Sequence, residues 1–190
     1  MHETRTRQGL ALDEETVDGH VARRSSPRVD ALLDGLDPTR PLWDLCCDGG
    51  QIGCVAMDRH PGATVVFVDK RPRLVAELAA LLERTPRYHG RYRTERADIL
   101  RMTLPSAPAT VVLAGVGTNL ILAFLARLEG RRGDRLVCST SQCPDRFETL
   151  ASAQGLVVLG RVQVRSRHGQ QTIWRLAWHD QSPARGAPSA

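Results

Sequence analysis

The sequence predicts an α/β fold: a seven-stranded, mostly parallel sheet with helices on both faces, closed by an antiparallel hairpin. Three observations predict it. Short apolar or β-branched runs alternate with helical patterns from residue 42 to residue 154, as in strands joined by crossover helices. Two of those runs, Leu42-Trp-Asp-Leu-Cys46 and Ala109-Thr-Val-Val-Leu-Ala114, are apolar almost throughout, which suits strands covered on both faces. The end of the chain changes character: residues 156–164 and 171–178 are both β-rich and flank Arg165-Ser-Arg-His-Gly-Gln, a hairpin pattern that reverses one strand.

Each element has its own reason. Residues 1–24 are polar, charged and without periodicity, and are expected to be a flexible N-terminal segment. Ser26-Pro-Arg-Val-Asp-Ala-Leu-Leu-Asp-Gly35 reads as a short helix, with Ser as cap, Pro at the first helical position and Gly at the end. A first strand near 42–46, a helix near 50–59 and a second strand near 64–69 follow. In 71–84, Leu74, Leu78, Leu81 and Leu82 share one helical face. The polar run 91–97 suits a strand at a sheet edge; a buried strand at 109–114, a helix at 118–129 and a strand at 135–140 come next. A helix from 144 is stopped by Gly155, and the hairpin completes a domain expected over 25–180, with 181–190 a disordered Pro/Gly/Ala/Ser tail.

Composition bounds the function. A chain of 190 residues, 42% hydrophobic and 25% charged, has the balance of one soluble domain. No apolar run approaches the roughly 20 residues of a membrane span, and no signal-peptide core follows the N-terminus, so a cytoplasmic protein with no membrane partner is expected. The net charge of +5 permits anionic partners. Cysteines 46, 47, 54, 138 and 143 form no CxxC pair with histidine partners; no metal site is expected, and the thiols read as small buried residues.

The chemistry concentrates in Asp44-Leu-Cys-Cys-Asp-Gly-Gly50 and in the strand that ends Val68-Asp69-Lys70. A strand, a loop of small residues, a helix and a second strand ending in an acid form a cradle for a nucleoside cofactor. The loop admits the ligand to the backbone and the acid accepts the ribose hydroxyls. Asp44 in the first strand is a candidate cofactor contact; Cys46, Asp48 and Gly50 occupy the loop slots, Asp69 the ribose position with Lys70 beside it, and Asp98 with Ile99 a third strand end suited to an adenine amino group and ring. A pyrophosphate would prefer a third glycine and no Asp48, so the acids favour a ligand with an uncharged tail, S-adenosylmethionine, leaving S-adenosylhomocysteine as product.

Taken together, Asp44-Leu-Cys-Cys-Asp-Gly-Gly50, Ala114-Gly-Val-Gly-Thr-Asn-Leu-Ile121 and Ser26-Pro-Arg-Val29 resemble the bacterial tRNA (adenine-N1)-methyltransferases of the TrmK type, which are class I S-adenosylmethionine enzymes with a Rossmann-like fold. The resemblance runs over about 22–178 and includes Asp145-Arg-Phe-Glu-Thr-Leu and His168-Gly-Gln. It implies S-adenosylmethionine as cofactor, Ala114 and Gly115 as further cofactor contacts, and a tRNA adenine as methyl acceptor. Cys46 stands where the family has glycine, Gly49 where it has histidine, and Ser139-Thr-Ser141 where it has Gln-Pro-Asn. The family's C-terminal coiled-coil extension has no counterpart in this sequence.

Asn119 and Ser139 are the candidate orienters of the acceptor, and Arg28 a candidate substrate or phosphate contact. Two Arg-rich stretches, 84–96 with both tyrosines and the hairpin's Arg165, Arg167 and His168, are candidate tRNA surfaces. The first lies on the sheet edge away from the ligand edge and reads better as solvated surface. Two alternatives stay open: an S-adenosylmethionine-dependent enzyme acting on a small molecule, and a non-catalytic binding module with a degenerate loop.

Overall fold

The computed structural model describes residues 14–17, 20–23, 25–104, 108–128, 133–141, 144–166 and 169–179. Two short antiparallel strands, β1 (Glu14–Val17) and β2 (His20–Arg23), precede the main body. They fall inside the stretch for which the sequence has no periodic pattern.

The body is a seven-stranded sheet in the order β5-β4-β3-β6-β7-β9-β8. Its strands are β3 (Leu42–Leu45), β4 (Val65–Asp69), β5 (Tyr92–Arg96), β6 (Thr110–Leu113), β7 (Arg135–Thr140), β8 (Leu156–Ser166) and β9 (Gly169–Trp178). The pairs among β3 to β7 are all parallel, whereas β9 runs antiparallel to both β7 and β8. The central strands β3 and β6 are buried at every position and β5 at the edge is half exposed, as the apolar and polar runs predict.

Helices cover both faces. On one, α1 (Pro27–Leu33), α2 (Gln51–Arg59) and α3 (Pro72–Glu83) pack Val29, Leu32, Cys54, Met57, Leu78 and Leu82 against Leu42, Phe67 and Val112. On the other, α4 (Thr118–Arg127) and α5 (Pro144–Ala153) pack Ile121, Phe124, Leu125 and Phe147 against Leu113, Cys138 and Trp174. The Phe147 and Trp174 rings lie 5.1 Å apart, and the Trp174 indole N–H donates to Thr140 at 2.9 Å.

Three local devices set the parts that carry the site. Ser26 caps α1, its hydroxyl accepting the Val29 N–H at 3.3 Å, with Pro27 at the first helical position. The other end of α1 is held from the sheet, where Arg175 of β9 donates to the carbonyls of Ala31 and Asp34 and pairs with the Asp34 carboxylate at 2.6 Å. Arg59 of α2 pairs with Asp30, tying α1 to α2. Gly53 lets α2 sit directly on the sheet: a Cβ there would run into the Phe67 ring and stand 2.7 Å from Val65.

Candidate functional site

The strand order reverses between β3 and β6: β4 and β5 extend the sheet one way, β6 and β7 the other. In open α/β sheets the crevice beyond the carboxyl ends at such a switch point is the ligand site. The loop after β3 and the turn after β6 meet at this crevice.

The loop after β3 is strained. Cys46 and Asp48 adopt φ of 55° and 53°, and Gly50, which caps α2, has φ of 75°. Asp tolerates this left-handed region; for Cys46 it costs about 1 kcal/mol. The strain is held by the Cys47 N–H on Val68 O at 3.0 Å and the Gly50 N–H on Cys47 O at 2.8 Å. Strain over-determined by its surroundings is characteristic of a ligand loop. Burial pushes the Cys46 thiol up to about 11 and raises Cys47 further, which disfavours the thiolate form of both.

The two strand acids have different duties. Asp44 is buried inside β3 and accepts the Gly53 N–H of α2 at 3.0 Å, which anchors the helix. Burial lifts its pKa to about 7; the Gly53 hydrogen bond and the Arg28 charge work against the rise, and the Asp69 charge adds to it. Asp69 ends β4. Burial acts to raise its pKa, but hydrogen bonds from the Arg71 guanidinium and from the Arg71 and Asp48 N–H groups outweigh that and hold it below the usual range.

Arg71 is the residue that sequence reasoning missed. Its Nε donates to Asp69 Oδ1 at 3.0 Å and its Nη2 to Oδ2 at 2.9 Å, a two-toothed grip on the ribose-position acid, with a further contact to Asp48 at 3.2 Å. The guanidinium is 53% exposed and can swing aside. The signal in the sequence was an arginine two residues after a strand-end acid; its neighbour Lys70 is exposed. Asp98 is exposed, and its Oδ1 accepts the Leu100 N–H at 3.0 Å in a local turn. Ile99 beside it is buried.

Across the crevice, Ala114 is buried and Gly115 has φ of 78°. Arg28 reaches over from α1, its Nη2 3.3 Å from where a Cβ on Gly115 would stand. Ser139 is buried and its hydroxyl accepts the Gly115 N–H at 3.3 Å, so it shapes this turn instead of facing an acceptor. The serine that faces open space is Ser141. It lines a cleft of about 350 Å³ with Thr118, Asn119, Leu122, Arg146 and Leu150, over a floor that includes Phe147. The cleft begins two residues past Gly115, beyond the ends of β6 and β7.

The crevice fits a nucleoside. Asp69 offers two carboxylate oxygens to a ribose diol once Arg71 yields them, Asp98 Oδ2 has no partner among the described residues, and the open-backboned loop admits a ligand. Among the described residues no group of His, Cys, Asp and Glu could hold a metal ion, and no helix is long and apolar enough to cross a membrane. The described cysteines are free thiols.

In the Arg-rich run 84–96, Arg87 and Arg91 are engaged in structure, while Arg84, Arg93 and Arg96 are exposed. Arg87 pairs with Asp58 at 2.8 Å, Arg91 donates to the carbonyls of Met57 and Pro61, and Tyr88 is buried. In the hairpin Arg165 is exposed, while 167 and 168 lie outside the described residues.

Fold and crevice define a nucleoside-cofactor enzyme of the Rossmann-like type. More particularly, the chain belongs to the methyltransferase domain family, whose model matches residues 25–163, and its class is that of S-adenosylmethionine-dependent methyltransferases. The chain resembles the solved M1A22 tRNA methyltransferase TrmK of B. subtilis at 12% identity and a TM-score of 0.73, covering 83% of this chain and 68% of that one. The TrmK of M. capricolum, solved with S-adenosylhomocysteine, is similar at 10% identity and a TM-score of 0.70 over 82% and 69%. Magnesium protoporphyrin IX methyltransferase (ChlM) of Synechocystis PCC 6803, solved with bound SAM, gives 17% identity and a TM-score of 0.65 over 80% and 76%. No curated protein matches the sequence.

Proposed function

We propose that the protein methylates N1 of an adenine in cytoplasmic tRNA, using S-adenosylmethionine held across the β3–β6 crevice. When bound, the cofactor supplies a methyl group on a sulfonium and leaves as S-adenosylhomocysteine. Asp69 holds the ribose hydroxyls, with Lys70 on its rim; Asp98 and Ile99 hold the adenine; the backbone of Cys46, Asp48 and Gly50, with Ala114 and Gly115, borders the remainder. Arg28, between Asp44 and Gly115, contacts an anionic group at the crevice. Asn119 orients the acceptor, and Ser139 acts on it through the Gly115 turn.

The observation that carries the acceptor reading is the chemistry of the cleft. Its described lining contains no carboxylate, imidazole or thiol. An alcohol acceptor needs a base to take its proton as it attacks; adenine N1 attacks with a lone pair already present. What remains for the enzyme is alignment and exclusion of water, which Leu122 and Leu150 supply. The likeness to the TrmK structures supports the same reading.

A second reading, methyl transfer to a small molecule, is favoured by the cleft volume, which falls within the roughly 300–1,000 Å³ of small-ligand sites. The test is to incubate the protein with S-adenosylmethionine and tRNA, digest the RNA and analyse its nucleosides. 1-Methyladenosine as the new product is expected; methylated tRNA lacking it, or unmodified tRNA beside an active protein, contradicts the reading.

A further inference from the structure

The cleft carries a charge that the protein does not answer. Arg146 is exposed and has no carboxylate partner among the described residues. The acids beside it on α5 are drawn elsewhere: Glu148 pairs with Arg161 of β8 at 3.1 Å, and Asp145 stands 4.0 Å from the same guanidinium. Arg146 also sits in the first turn of α5, the end of a helix where a cation is unfavourable. A residue that breaks a local rule without a compensating contact inside the fold marks a functional site.

The rest of the lining has matching chemistry. Thr118, Asn119 and Ser141 add side-chain donors on the wall shared with Arg146. The α4 helix begins at this wall behind Gly117, and no side chain caps its N–H groups. Leu122 and Leu150 make the remaining surface apolar, over the buried Phe147. Thr118, Asn119 and Arg146 stand in the first turns of α4 and α5, where an anion with several acceptor oxygens fits, and Leu122 and Leu150 stand a turn further on, where an apolar body fits.

We propose that Arg146 is the phosphate contact of the acceptor: the cleft takes a nucleotide, with its phosphate against Arg146, Thr118 and Ser141 and its base against Leu122 and Leu150. This rests on the methyltransferase reading and narrows its acceptor to a phosphate-bearing one. The phosphate can belong to an RNA chain or to a free nucleotide. Arg146 acts in binding and takes no part in the transfer, so its loss raises the acceptor KM and leaves cofactor affinity unchanged.

The test uses the full chain with S-adenosylhomocysteine present. AMP and adenosine are titrated by calorimetry into the unaltered protein, Arg146→Ala and Arg146→Lys, and tRNA methylation is followed in parallel. In the free-nucleotide arm, AMP is expected to bind at least about tenfold more tightly than adenosine, a preference that Arg146→Ala abolishes and Arg146→Lys partly keeps. In the RNA arm, Arg146→Ala is expected to raise the tRNA KM about tenfold. An effect on tRNA assigns the phosphate to the polynucleotide; an effect on AMP alone assigns it to a free nucleotide. Arg146→Ala indistinguishable from the unaltered protein in both arms overturns the proposal, as does absence of AMP binding together with absence of tRNA methylation. Failure of the unaltered protein to bind S-adenosylmethionine sinks the methyltransferase reading instead, and the AMP-to-adenosine comparison then judges the subsite by itself.

Discussion

At the scale of single residues, two carboxylates in neighbouring strands have opposite electrostatics. Burial raises Asp44 from an ordinary value of 3.8 to about 7, so the native protein keeps a proton there that the unfolded chain releases. The associated stability is fully present below about pH 4 and is lost as pH rises toward 7, a span worth about 4 kcal/mol. Asp44→Asn keeps an acceptor for the Gly53 N–H and removes the titration. Denaturant melts at pH 4, 5.5 and 7 should therefore show the wild type losing stability relative to this variant as pH rises. Asp69 is legible in the sequence as a strand-end acid at the right distance, whereas its partner is not. Whether Arg71 turns onto Asp69 depends on the backbone of the 69–72 turn, which no periodicity encodes. Because the guanidinium takes the same oxygens as a ribose diol, Arg71→Ala should tighten S-adenosylmethionine binding about three- to tenfold. That is the modest gain expected from a half-exposed pair screened by solvent, and weaker binding in a calorimetric titration would show that Arg71 contacts the cofactor instead.

At the scale of elements, nearly every helix and strand from residue 26 onward is legible, because apolar runs and leucine spacing report burial directly. Strand Leu42–Leu45, helix Pro72–Glu83 and strand Thr110–Leu113 fall where those patterns predict them. The hairpin strands extend farther than predicted, to Ser166 and from Gly169, since exposed edge pairing tolerates Arg165 and Gln170 as readily as valine. Glu14–Val17 and His20–Arg23 pair although their sequence carries no pattern for it. The seat of α2 on the sheet is equally invisible in one dimension: Gly53 reads as a helix-weakening residue, yet its missing side chain is what the Phe67 ring occupies. Gly53→Ala should therefore destabilise the protein by about 3 kcal/mol despite alanine's better helix propensity, lowering the melting temperature by roughly 6–12 °C. At Cys46, which holds φ of 55°, Cys46→Gly should stay within about 1 kcal/mol of wild type while Cys46→Val loses about 2 kcal/mol, read from the same melts.

At the scale of the molecule, the sheet order brings together groups that are far apart in the chain. Asp44 and Asp69 come from β3 and β4, Gly115 from the turn after β6, Ser139 from β7, Arg28 from α1 and Arg146 from α5. The motif spacing names the residues proposed for the cofactor half of this assembly. The acceptor half escaped it, because Ser141 and Arg146 carry no motif and meet Asn119 only once α4 and α5 are packed side by side. The same edge carries exposed cations, Lys70 and Arg101 beside the crevice and Arg146 in the cleft, among the exposed acids Asp48, Asp98 and Asp145. Affinity for tRNA should accordingly fall steeply between 50 and 200 mM salt, whereas S-adenosylmethionine affinity should hardly change; a salt-insensitive tRNA complex would place the RNA elsewhere. The central claim is that the cofactor is held at the β3–β6 crevice by Asp69, and calorimetric titration of S-adenosylmethionine into the wild type and Asp69→Ala tests it most directly. Saturable micromolar binding by the wild type, weakened at least about a hundredfold in the variant, is the predicted result, because a buried carboxylate accepting two ribose hydroxyls cannot be replaced by water in the same place; equal affinity in the two proteins would contradict the account.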